Sequence, residues 1–321
     1  MAASLTDIAK RFEPKIRNGL LAAFAELKGD INMSALDTAL RTRGIQGAYQ
    51  VLADLQIEGV IEKHIVDDIN NAIAESGRFT IGVIPKAAVT SVPFRYNILN
   101  PATAESITRY EFNLIRGIGA NTREAIRNSL EADTIAGVNP RRTAVNFRST
   151  LGLTPKQELA VRNYRDNLEN LDRNALNRQL RDRRFDRSVL RAIENDTPLK
   201  RAQIDRFTDR YRERFIKYRS EVIARTESLR ATSIGEYTGL IQGVNEGSID
   251  RDKVKRFWIF TKDKRTRSSH RMIPSLNPNG VAIDQPFTTP LGPLRFPRDP
   301  EGSAANTIQC RCRVSYRLVN N

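Results

Sequence analysis

The feature that most constrains the fold is a change in how apolar residues are spaced along the chain. In the first two thirds they recur every three or four residues, which places them on one face of an α-helix. The clearest stripes are Ile8, Phe12, Ile16, Leu20 and Phe24, followed later by Ile204, Phe207, Tyr211, Phe215, Tyr218 and Val222. After Gly247 this spacing gives way to short alternating runs separated by Gly and Pro. The chain is therefore predicted to be mainly α-helical with a small α+β C-terminal module.

Prolines and capping residues mark several helix ends. The sequence TPKQ at 154–157 has the form of a capping box with proline at the first helical position, and NTRE at 121–124 is a weaker version. Thr197-Pro198 indicates the start of the long helix that carries the second stripe. Pro14 lies inside the first stripe, where it predicts either a kink or an early boundary.

The composition divides the chain into four consecutive segments. Between Phe79 and Asn100 two prolines and many β-branched or aromatic residues indicate an extended connector or short strands, and the main internal boundary. Further on, Arg256–Phe260 and Cys310–Leu318 are predicted strands. The expected segments are an N-terminal helical domain (1–78), the connector (79–100), a basic helical region (101–247) and a compact module (248–321) that closes on the 220–235 helix.

The charge balance predicts a polyanionic partner. The chain carries 52 Lys and Arg against 37 Asp and Glu, a formal net charge of +15, and such a surplus attracts nucleic acid. Arginine, whose planar fork fits phosphate, dominates residues 141–230. The candidate contacts to double-stranded DNA are Arg181, Arg183, Arg184, Arg187, Arg210, Arg214 and Lys217. The alternative is a solvated helical surface on which the interleaved Asp and Glu pair with these cations.

Three motifs follow one another in the last third of the chain: IARTES at 223–228, FWIFTKDKRTRSSH at 257–270, and FTTPLGPLRFPRDPEGSAANTIQCRCRV at 287–314. In this order they resemble the C-terminal domain of the phage Mu F-like minor head proteins. The path from His270 to Gly280 is longer than in the family, and Gln309 stands where an Asn often precedes C-R-C. The resemblance implies a structural core of the module made of Arg225, Glu227, Trp258, Asp263, Arg267, His270, Asn306, Cys310, Arg311 and Cys312.

The resemblance implies a structural role and no enzymatic one. Proteins of this family are built into the procapsid in few copies, associate with the portal, and in several phages contact the DNA or leave with it. We therefore expect a virion protein inside the head of a tailed phage, made in the host cytoplasm, with the portal, other head proteins and double-stranded DNA as partners. No membrane is expected to be required for assembly, since no stretch approaches the roughly 20 apolar residues of a bilayer span. No small-molecule substrate is expected for a structural protein of this kind.

The two cysteines suggest a metal site, and they are too few for a disulfide framework. Residues two apart on a strand point to the same face, so Cys310 and Cys312 can reach one zinc ion. His270 and Asp263 would complete four ligands. In the alternative, the thiols act as small buried apolar groups and the protein has no cofactor.

A second function class is a phage-encoded nuclease or transferase. The C-terminal loop offers side chains for acid/base chemistry on a phosphodiester, namely Glu227, Asp263, Arg265, Arg267 and His270. A metal nuclease usually has clustered carboxylates, and here cations outnumber them. The structural alternative is a buried network that pairs Arg225, Glu227 and Asp263.

Overall fold

The fold is taken from a computed structural model that describes residues 4–319. The chain is 69% helical, which confirms the predicted class. The helices are α1 (Leu5–Asp30), α2 (Met33–Asp54), α3 (Ile57–Phe79), α4 (Pro101–Ile135), α5 (Pro140–Thr150), α6 (Pro155–Glu169), α7 (Asp186–Glu194), α8 (Arg201–Asn245), α9 (Ser268–Leu276) and α10 (Ala304–Thr307), and the strands are β1 (Val254–Ile259) and β2 (Arg313–Leu318).

Helix α1 buries the predicted N-terminal stripe. All five of its residues are at most 7% exposed, as the four-residue spacing requires. The helix continues through Pro14, so the early boundary that was one of the two possibilities for this residue is wrong. Helix α2 is interrupted at Gly44, whose φ of 57° and ψ of −145° are not helical. Glycine accepts that conformation because it has no Cβ.

The strong capping signal is confirmed and the weak one is wrong. Thr154 Oγ1 accepts a hydrogen bond from the Gln157 backbone N–H at 3.3 Å, and Gln157 Oε1 accepts one from the Thr154 N–H at 3.0 Å. Asn121, in contrast, lies inside α4, and its side-chain amide donates to the Gly117 carbonyl. The apolar spacing continues on both sides of Asn121, so burial of that face outweighs the local preference of Asn for a helix start.

The second stripe is buried only in its first half. Ile204, Phe207 and Tyr211 belong to the core, whereas Tyr218 is 46% exposed and Ile216 is buried in its place. The face of α8 that is covered therefore turns along the helix, which is 45 residues long. A single apolar stripe predicts burial correctly only where the core lies against the same face of the helix along its whole length.

The segment predicted as an extended connector is more compact than expected. It contains two short 3₁₀ helices, Thr80–Val83 and Lys86–Ala88, and the backbone of Val89 forms an isolated bridge with Ile249. The hydroxyl of Thr80 donates to the Ser76 carbonyl at the end of α3. Ile84 and Ala88 of this segment pack in one core cluster with Leu240, Ile249 and Val254, so contacts with distant parts of the sequence hold its apolar residues in single turns.

The C-terminal module contains the predicted strand pair. β1 and β2 are antiparallel, with Trp258 opposite Val314. Cys310 and Cys312 directly precede β2, so the second strand begins three residues later than predicted. The turns LNPNGV at 276–281 and TPLGPL at 289–294 contain Gly280 and Gly292, both of which have positive φ angles. The core of the module consists of Trp258, Ile273, Phe287, Leu294, Cys310, Cys312 and Val314.

The chain forms two compact units, each assembled from segments far apart in sequence. Of the described residues, unit 1 comprises 4–18, 65–112 and 221–319, and unit 2 comprises 19–64 and 113–220. These units cut across the four consecutive segments expected from the sequence, because long helices run from one unit into the other. Whether the expected segments fold separately stays a prediction. Within residues 4–319, no helix has the length and apolar character needed to cross a membrane.

Candidate metal centre and arginine surface

His270, Cys310 and Cys312 meet in the core of the C-terminal module. His270 lies on α9, and the two cysteines lie on the extended segment before β2. The sulfur atoms of Cys310 and Cys312 are 3.6 and 3.4 Å from His270 Nδ1. All three side chains are buried, and their potential ligand atoms lie within 4.8 Å of one another. The predicted convergence of these three residues is thus confirmed.

Asn306 orients the histidine ring. Its side-chain NH₂ donates to Thr289 Oγ1 at 3.1 Å, which turns Asn306 Oδ1 towards His270 Nε2 at 2.9 Å. This network places the ring proton on Nε2 and leaves the lone pair of Nδ1 facing both sulfur atoms. Metal-binding histidines are usually oriented in this way, by a hydrogen bond from the ring nitrogen that does not bind the metal.

The distances fit one tetrahedral ion. With zinc–sulfur bonds of about 2.3 Å and zinc–nitrogen bonds of about 2.0 Å, tetrahedral angles separate nitrogen and sulfur by roughly 3.5 Å. The observed separations, 3.6 and 3.4 Å, lie within 0.1 Å of about 3.5 Å on either side. The three residues are therefore close enough together to hold one ion without rearranging the backbone.

The thiols differ in their electrostatic environment. The hydrogen bond from Cys312, followed by that from His270 and the charge of Arg298, holds the pKa of Cys310 well below its usual value. The pKa of Cys312 is raised by its hydrogen bond to Cys310 and by burial. Burial alone would lower the pKa of His270, but the hydrogen bond and charge of Cys310 outweigh it and raise that pKa. A bound cation would favour the deprotonated form of both thiols.

The surroundings of the trio also supply a donor for sulfur. Trp258 contacts the His270 ring edge-on, with 5.8 Å between ring centroids. Its buried indole N–H completes no hydrogen bond among residues 4–319, although Cys312 is near enough for the indole to lower the pKa of that thiol. An N–H donor beside a thiolate is a typical outer interaction of a metal–cysteine site.

Arg298 fixes the backbone of the C-R-C motif and was missed by the sequence analysis. It is buried, and its guanidinium donates to the carbonyl oxygens of Cys310 and Cys312 at 3.0 and 2.7 Å. It also donates to the Leu229 carbonyl and the Ser233 hydroxyl on α8. Arginine usually lies at the surface, so only the P-R-D-P context hinted at this role.

The remaining motif residues form separate contacts. Asp263 makes a two-pronged ion pair with Arg311 at 2.5 and 2.7 Å, and Arg267 donates to the Ile308 carbonyl at 2.6 Å. Asp263 is therefore not the fourth member of the histidine–cysteine cluster, which corrects the four-ligand prediction. The Asp263 carboxylate lies on the outer side of the C-R-C segment, where it pairs with Arg311.

The predicted network of Arg225, Glu227 and Asp263 is also wrong. Glu227 accepts hydrogen bonds from Arg230 and from the buried Tyr110 hydroxyl at 2.7 Å. The Arg225 side chain makes no hydrogen bond or ion pair in the part of the chain that is described. Of the R-T-E motif, Thr226 contacts the C-R-C loop, since its hydroxyl accepts from the Gln309 backbone N–H at 3.2 Å.

The candidate DNA contacts divide into paired and unpaired cations. Arg181 pairs with Asp186, and Arg184, Arg210 and Arg214 surround Asp182. Arg183, Arg187 and Lys217 are exposed and form no ion pair between residues 4 and 319. Four of the seven candidate residues therefore pair with carboxylates of the chain, as the alternative interpretation of a solvated helical surface predicted.

Comparisons with known proteins do not place this chain in a family. No family model, no curated protein and no solved structure matches it.

Proposed function

We propose that the protein is a structural minor head protein of a tailed bacteriophage, situated inside the capsid at or near the portal. The observation that carries the proposal is that residues of the second and third motifs meet in one core, while Thr226 of the first motif accepts a hydrogen bond from the Gln309 backbone. Trp258, His270, Asn306, Cys310 and Cys312 share one core or its hydrogen bonds. A chance occurrence of the motifs would give no reason for these side chains to meet.

The proposed partners are the portal, other head proteins and packaged double-stranded DNA. The net charge of +15 supports contact with DNA, and the exposed Arg183, Arg187 and Lys217 offer cations that no carboxylate of the described chain neutralises. Binding through such groups should weaken steeply as salt rises, because condensed counterions are released from the DNA. A role in genome ejection belongs to the same proposal.

The geometry gives less support to the nuclease or transferase alternative. That alternative uses His270 as a base, yet the ring is 2% exposed and both nitrogens are engaged, one with Asn306 and one with the thiols. Asp263 is paired with Arg311. A general base must be within reach of the proton that it removes, and a substrate has no path to this ring without opening the core.

Within this role we propose that His270, Cys310 and Cys312 bind a zinc ion. Bound zinc would join α9 to the segment before β2 and so stabilise a module whose own core is small. The tautomer of His270, the two nitrogen–sulfur distances and the unsatisfied indole N–H of Trp258 support this assignment.

Particle fractionation tests the head-protein proposal. Procapsids and mature virions are purified on gradients and their proteins identified by mass spectrometry, with an abundant host cytoplasmic protein as the marker of contamination. We expect the protein in both fractions, at few copies relative to the major capsid protein. Its absence from both would refute a structural role in the head.

Metal analysis tests the zinc proposal. We expect one zinc ion per chain after purification under reducing conditions, and loss of zinc in the His270→Ala variant. The matched control is His64→Ala, since His64 is the other histidine of the chain. Cobalt(II) added to metal-free protein should give the visible absorption of thiolate coordination. Wild-type protein that neither retains zinc nor takes up zinc or cobalt would show that the thiols are apolar core groups.

A further inference from the structure

We propose that Asp182 is a positioning residue that holds Arg184, Arg210 and Arg214 as a preformed clamp for backbone phosphates of double-stranded DNA. The inference rests on the proposed contact with DNA and says how unit 2 makes it. The three arginines and Asp182 are named the arginine clamp. Three cations converge here on one carboxylate that is shielded from solvent.

The geometry places the carboxylate inside and the guanidinium groups outside. Arg184 binds Asp182 through Nε and Nη2, the latter at 2.6 Å, and Arg210 and Arg214 approach the same carboxylate at 3.5 Å. The Asp182 side chain is 1% exposed, whereas those of Arg184, Arg210 and Arg214 are 71%, 46% and 39% exposed. Each guanidinium has five N–H donors, so most of them remain available to a second anion.

Neighbouring contacts restrict the same groups. Arg214 also donates to the Arg181 carbonyl at 2.8 Å. The guanidinium of Arg184 lies 6.0 Å from the centre of the Phe185 ring, and Arg206 lies 5.3 Å from that ring. Phe185 itself stacks on the buried Phe207 at 4.2 Å. The clamp is therefore attached to the core of unit 2 through an aromatic pair.

The charges leave a surplus for phosphate. Three arginines face Asp182, and the second carboxylate nearby, Glu213, pairs with Arg210 alone. The hydrogen bond from Arg184, helped by the charges of Arg214 and Arg184, holds the pKa of Asp182 below its usual value, so this carboxylate stays ionised. Arginine forks that are fixed in advance lose less conformational entropy when they bind a phosphate.

Two roles of Asp182 predict opposite results for the same substitution. If Asp182 merely neutralises cations, Asp182→Asn adds one net positive charge and strengthens DNA binding. If it positions the clamp, the same change weakens binding, because the arginines lose their common anchor. Asparagine keeps the side-chain oxygen that accepts the Arg184 backbone N–H at 3.1 Å, so the turn that Asp182 begins is preserved.

The experiment measures the affinity of the full-length chain for a duplex DNA of mixed sequence, over a range of salt. We expect Asp182→Asn to weaken binding about tenfold, the scale of one charge-assisted hydrogen bond, while Asp209→Asn, an equal charge change at a side chain of α8 that is 57% exposed, does not weaken it. Equal or tighter binding by Asp182→Asn would refute the clamp. Wild-type protein that does not bind duplex DNA would refute both the contact and the clamp.

A pair of charge-conserving variants keeps the test decisive if Asp182→Asn is unstable. Arg184→Lys keeps the charge and loses the fork, so it should weaken binding severalfold, whereas Arg43→Lys, at an exposed arginine of α2 that is not among the proposed DNA contacts, should leave binding unchanged. Identical affinities of these two variants would refute the clamp. Inorganic pyrophosphate is the probe for a small ligand, and a pyrophosphate affinity above that for DNA would assign the arginines to a free polyphosphate instead.

Discussion

Replacing Arg298 should unfold the C-terminal module more readily than any surface change in it. The Arg298→Ala variant leaves the carbonyl oxygens of Cys310 and Cys312 without the donor that they share, whereas the Leu229 carbonyl keeps the hydrogen bond from the Thr232 hydroxyl. An orphaned buried polar group costs at least about 1 kcal/mol, so the loss should be about 2 kcal/mol or more. Burial of the guanidinium lowers the pKa of Arg298, which shows that its desolvation opposes folding. The variant no longer has this cost, so the loss of stability is smaller than the lost hydrogen bonds alone would give.

Trp258 makes this loss measurable. It is the sole tryptophan of the chain and lies in the core of the module, so its fluorescence during urea unfolding reports on that region. The matched control is Arg265→Ala, whose side chain is 72% exposed and should change the free energy of unfolding by less than about 0.5 kcal/mol. A change below about 1 kcal/mol for Arg298→Ala would show that the carbonyls find other partners, and would refute the reasoning.

Two further predictions concern single carboxyl and hydroxyl groups. Burial raises the pKa of Glu236 to about 7, above its unfolded value, so the folded state holds the proton more tightly and stability should fall as pH rises from about 4.5 to 7. Glu236→Gln should flatten this dependence and be more stable than wild type at pH 8 in urea unfolding; an unchanged pH profile would contradict it. Thr154→Ala removes one half of the capping box of α6 and should cost about 1 kcal/mol by circular dichroism. A loss as small as that of an exposed control, Lys156→Ala, would mean that the cap is dispensable.

Local signals predicted the elements of this fold, and long-range contacts decided what the sequence analysis missed. Apolar spacing located α1, and the TPKQ sequence located the start of α6, because each depends on neighbours within a few residues. The same local reasoning gave Asn121 a role at a helix start, where the continued burial of α4 outweighs it. Each compact unit combines segments that are far apart in sequence, and the spacing of apolar residues does not predict which distant segments come together.

The candidate site shows the same division. His270, Cys310 and Cys312 were predicted to meet because two residues on an extended segment share a face, and they do meet. Arg298 and Arg256 were not expected inside, yet both are buried and donate to three or more oxygen atoms each. A buried arginine requires several carbonyls aimed at one point, and only the folded turns provide that arrangement.

The spacing of the C-R-C motif follows from the alternation of an extended chain. Cys310 and Cys312 direct their side chains to His270 and their carbonyls to Arg298. Arg311, between them, points to the opposite face, where it pairs with Asp263, and its carbonyl accepts from Thr261. Side chains and carbonyl groups therefore alternate in direction from one residue to the next, so residues 310 and 312 share their partners and residue 311 has different ones. An inserted residue would turn one thiol away from His270 and one carbonyl away from Arg298 at the same time, so the motif encodes a register as well as two thiols.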